Sequence, residues 1–102
     1  MALVLVLVTF PDSDSAKSII EKVLNERLAA CILHTQVNSS FVWQDKNQQE
    51  QEVLALFKTI QSNIEKLEQY ISKHHPYDIP AILRIDASAN PGYQNWINSI
   101  IS

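Results

Sequence analysis

The chain has 102 residues, one cysteine, one glycine and a formal net charge of -3, which excludes an internal disulfide framework, a glycine-rich phosphate loop and a basic face able to hold nucleic acid or an anionic membrane. One domain over residues 1–102 is expected, long enough to bury ~60 to 70% of the surface its unfolded form exposes. A single thiol fits a reducing, cytoplasmic setting, and the apolar opening Ala2 to Val8 falls far short of the roughly 20 residues of a membrane helix.

Ala2 to Phe10 is a run of Leu and Val ending in Thr9-Phe10, the pattern of a central strand covered on both faces. Pro11 stops it. Asp12, Ser13 and Asp14 supply N-cap candidates, after which Ala16, Ile19, Ile20, Val23, Leu24 and Leu28 recur at three- and four-residue steps and predict an amphipathic helix. From Cys31 to Trp43 one parity reads Cys31, Leu33, Thr35, Val37, Ser39, Phe41, Trp43, a strand of ~40 Å. Asp45-Lys46-Asn47 is the expected turn, and Gln49 to Ile60 returns as the partner strand. A domain of this length has a radius of gyration near ~13 Å and leaves part of such a hairpin projecting. Phe41 and Trp43 lie in that half, so they are expected to form an interface with another copy of the chain.

Ser62-Asn63-Ile64-Glu65 has the spacing of a capping box and opens a second helix with Ile64, Leu67, Tyr70 and Ile71 toward the core. The stretch His74-His75-Pro76-Tyr77-Asp78-Ile79-Pro80 ends it, and its prolines push His75 and Ile79 toward extended backbone. Alternation from Ala81 to Ala87 predicts another half-buried strand. Asn90-Pro91 reads as N-cap and N1 of a last helix with a stripe of Tyr93, Trp96, Ile97, Ile100 and Ile101. The order β, α, β, β, α, β, α predicts an α+β fold, a ferredoxin-like split βαβ sandwich (βαββαβ plus a C-terminal helix).

Thr9-Phe10-Pro11, Glu26-Arg27-Leu28-Ala29-Ala30-Cys31, Phe41-Val42-Trp43, Lys58-Thr59 and His75-Pro76-Tyr77-Asp78-Ile79-Pro80-Ala81 together resemble the CutA family of divalent-cation tolerance proteins nearly end to end. The resemblance implies a ferredoxin-like protomer, a homotrimer assembled through its sheets, a link to copper and other divalent ions, and kinship of shape with PII-type signalling proteins. One departure is Asp45, at a place where the family usually carries glycine.

A late divalent ion such as copper favours imidazole and thiolate, and the chain offers Cys31, His34, His74 and His75. Cys31 and His34, three apart on a strand, face opposite sides. His75 and Asp78 on the proline-stiffened loop are the better candidates, with Cys31 or groups of a neighbouring chain needed to complete a metal site. Arg27, Lys58 and Arg84, beside Thr9 and Thr59, are the candidates for an anion pocket. Cys31, His75 and Asp78 carry no signature that places them as nucleophile, base and orienting group, so no enzyme is expected. The expected function is a cytoplasmic homotrimer that binds a divalent metal ion, copper first, in divalent-cation tolerance. The alternative is a PII-like trimeric signalling module binding a small anion.

Overall fold

A computed structural model describes residues 2–101, with β1 (Leu3–Phe10), α1 (Ser13–Asn25), β2 (Cys31–Trp43), β3 (Lys46–Ile60), α2 (Ile64–His74), β4 (Ile82–Ala87) and α3 (Pro91–Ile101) in chain order. The strands make one antiparallel sheet in the order β2-β3-β1-β4. This is the ferredoxin-like arrangement expected from the element order.

Strand alternation sorts the core. Val4, Val6, Val8 and Phe10 of β1 and Val53, Ala55 and Phe57 of β3 face α1 and α2, where they pack on Ala16, Ile19 and Val23 and on Ile64, Leu67 and Ile71. A smaller cluster of Leu3, Ile60, Ile97 and Ile101 fixes α3 at one end of the sheet. The other face is largely open: Leu5, Leu7, Leu54 and Leu56 are half-buried, and Leu33, Leu83 and Ile85 are 53%, 54% and 43% exposed. β1 is therefore central, as expected, but α1 and α2 cover only one of its faces.

Helix ends follow local chemistry. Asp12 caps α1 by accepting from the Ser15 amide at 2.8 Å, a bond that also holds its carboxyl below the usual range. At the far end Leu28 N–H reaches the Val23 carbonyl and Arg27 N–H the Leu24 carbonyl, with Arg27 at φ 58°. That is a Schellman closure in which arginine occupies the left-handed place usually given to glycine. The expected capping box is displaced: a 3-10 turn covers Gln61–Asn63, and Asn63 is the N-cap without a side-chain cap bond. Asn63 instead donates from Nδ2 to the Arg27 carbonyl at 3.2 Å.

The hairpin is tighter than expected. Trp43 pairs with Lys46, so Gln44 and Asp45 alone make the turn, at φ 51° and 61°. Positive φ at both central residues is the type I′ geometry that matches strand twist. β3 accordingly begins at Lys46 rather than Gln49. The molecule measures 45 × 24 × 21 Å, and the tip projects with Val42 70% and Trp43 62% exposed.

Candidate functional site

Pro76 forces His75 out of the helix, to φ -74° and ψ 139°, and the ring turns into the core. It stacks on Phe10 with centroids 4.8 Å apart. Nε2 lies 2.8 Å from the Thr9 carbonyl oxygen, while Nδ1 accepts from the Tyr77 amide at 3.0 Å. A carbonyl only accepts, so the proton sits on Nε2 and both nitrogens are used. His75 therefore pins the loop to the end of β1.

That anchoring aims Tyr77 at β3, where its hydroxyl donates to Glu52 Oε2 at 3.0 Å. Glu52 is only 9% exposed. Burial first, then the bond to Glu52 and the charges of Glu52, Glu50 and Asp12, push the Tyr77 phenol up to about 12. Between the loop and the projecting hairpin runs a groove of about 770 Å³. Phe41, Trp43 and Ile79 give it apolar walls; Glu50, Glu52 and Asp78 give it three carboxylates, and no Lys, Arg or His lines it. Such a lining attracts cations and repels anions.

The metal-ligand candidates do not converge within one chain. Cys31 sits in the row Cys31–Lys58–Leu5, whereas Thr9, which holds His75, lies four residues further along β1, ~13 Å at strand rise. Asp78 is exposed on the groove rim, and His75 has no free lone pair. Among the described residues no three His, Cys, Asp or Glu side chains are grouped to hold an ion. Cys31 and His34 pair opposite Lys58 and Ala55 respectively, on opposite faces of the sheet as their spacing requires.

The expected anion pocket does not form either. Arg27 is occupied in the α1 closure, donating from Nη1 to the Leu24 carbonyl at 2.7 Å. Arg84 stands opposite buried Val6 on the helix side of the sheet and pairs with Glu68. Lys58 stands opposite Leu5 on the open side, donating to the Tyr93 hydroxyl at 3.1 Å, a bond that raises its ammonium above the usual range. Thr59 is buried and donates to the Leu28 carbonyl. Two faces of a sheet thus separate the cations.

Glu52 and its bond to Tyr77 are what residue patterns missed. The available signal was a carboxylate in strand register with Leu54 and Leu56, immediately before the buried run from Val53. An acid placed there lies on the open face of the sheet, where the His75–Pro80 loop covers it.

Residues 4–100 match the family model described as CutA1 divalent ion tolerance protein. A relative from Pyrococcus horikoshii, named divalent-cation tolerance protein CutA, is 38% identical over 96 residues, covering 93% of this chain and 94% of its own. The crystal structure of CutA1 from Pyrococcus horikoshii superposes with a TM-score of 0.92 at 35% identity, over 97% of this chain and 98% of that one. CutA from Synechococcus elongatus gives 0.94 at 29% identity, over 99% and 91%.

Proposed function

The chain belongs to the CutA1 divalent ion tolerance protein family, which supports a role in metal-ion tolerance, and we propose that it acts there as a cytoplasmic homotrimer that binds a divalent cation, copper first. The observation that carries this reading is the groove with three carboxylates and no basic side chain. Its charge selects the sign of the ligand.

Carboxylates alone suit harder ions, whereas copper asks for a softer donor. Cys31 faces the open side of the sheet, in register with Lys58 and Leu5, so a neighbouring copy is the source we assign for thiolate. Asp78 and Glu50 are the ligands from the groove, and His75 holds the Asp78 loop in place. The open apolar face supports the trimer, since Leu33 and Leu83 remain 53% and 54% exposed in one chain.

Titrating Cu(II) into the purified protein and reading native mass spectra reports assembly and stoichiometry together. The expected result is three ions per trimer, with uptake reduced in Asp78→Asn and in Cys31→Ser. A monomer, or adducts that rise with added copper equally in both variants, overturns the reading.

A further inference from the structure

Burying a charge is costly unless a partner of opposite sign meets it. Glu52 is nine-tenths buried, and the ion pairs found among the described residues, Lys22–Glu26 and Arg84–Glu68, do not include it. The charges that act on the adjacent Tyr77 among the described residues, Glu50 and Asp12, have the same sign as Glu52. Lys58 is the complementary case. It is half-buried, its hydrogen bond goes to the Tyr93 hydroxyl, its Nζ lies 5.1 Å from that ring, and among the described residues no carboxylate pairs with it.

Both residues sit on β3 with the parity of Leu54 and Leu56, hence on the open face of the sheet. Six residues separate them, ~20 Å along a strand. They cannot reach each other within one chain. Two unmatched charges of opposite sign, at a fixed spacing on one unpartnered apolar face, have a simple solution in a second copy.

We infer that Lys58 of each copy pairs with Glu52 of the next, so that the face closes as a ring of head-to-tail contacts in which no buried charge is left over, and Glu50 and Asp78 remain as the groove's carboxylates for a cation. The inference rests on the homotrimer proposed above and names what fixes its register. A heterologous contact closes when its rotation does, and this pair gives each interface one direction. Wrong registers would set Lys58 against apolar surface or a like charge and leave Glu52 unmatched, which selects against them.

Charge exchange tests it. Glu52→Lys and Lys58→Glu each place like charges at every interface, and the double exchange restores opposite ones. Sedimentation equilibrium on the unaltered chain and the three variants, with far-UV circular dichroism as the check on folding, reads the result. Each single exchange is expected to raise the concentration at which the trimer dissociates by on the order of tenfold or more, and the double exchange to recover most of that. The neutral set Glu52→Gln, Lys58→Met and their combination guards against a misfolded exchange variant: non-additive losses are expected, and additive ones count against the pair. An unaltered trimer whose single exchanges dissociate no more readily, or whose double exchange fails to recover, overturns the pair and leaves the trimer standing. An unaltered chain that stays monomeric overturns the assembly itself.

Discussion

The Tyr77 hydroxyl meets a carboxylate that has little access to water, and that fixes its titration. Its ionisation is pushed from the usual 10.0 up to about 12. An unfolded tyrosine loses its proton near ~10. Between about pH 10 and about 12 the unfolded chain therefore binds fewer protons than the folded one, and stability falls as pH rises through that window. Tyr77→Phe is expected to reduce this fall and, by leaving Glu52 without its donor, to cost about 1 to 3 kcal/mol near neutral pH. Urea midpoints at about pH 8, 10 and 12 measure both effects; an unchanged midpoint near neutrality together with the full alkaline fall contradicts the assignment. At this scale the sequence was legible where composition is dense, as in His75 to Pro80, and opaque where partners are remote. Nothing local to Glu52 announces Tyr77, which is 25 residues away.

Elements were legible through their periodicity and less so at their ends. A continuous apolar run placed β1, alternation placed β2 and β4 with β3 as the returning partner, and three-four spacing placed α1 and α2, because burial imposes those patterns. Turns and caps depend on one or two dihedrals that periodicity does not report. The hairpin tip is the clearest instance: Gln44 and Asp45 both take positive φ, where glycine is more at ease. Asp45→Gly is expected to stabilise the folded chain by about 1 kcal/mol and to leave its mass in solution unchanged, as thermal denaturation and light scattering would measure. A loss of stability would mean that Asp45 gains more from its surroundings than its backbone loses. Arg27 teaches the same lesson, since a charge in a predicted anion pocket proves to be a helix terminator.

For the whole molecule, a row of leucines crosses the open face, one from each strand: Leu83, Leu7, Leu56 and Leu33 are in register. Sequence alternation could not separate a strand covered twice by its own chain from one covered once by its own chain and once by another, because both demand apolar residues at every position. Leu33→Lys is expected to leave the chain folded, since Leu33 is already 53% exposed, and, in the proposed trimer, to shift sedimentation toward monomer. Retention of the unaltered mass would move the interface elsewhere.

The place of β1 between β3 and β4 also sets a timetable. Its partners are residues 53–60 and 82–87, so the most apolar strand is made before either of the strands that flank it. With about 50 residues between Phe10 and Ile60, synthesis at ~5 to 20 residues per second leaves it waiting for roughly 3 to 10 seconds. During that interval β1 exposes its apolar face without a strand neighbour, and the return arm of the hairpin is the first to supply one.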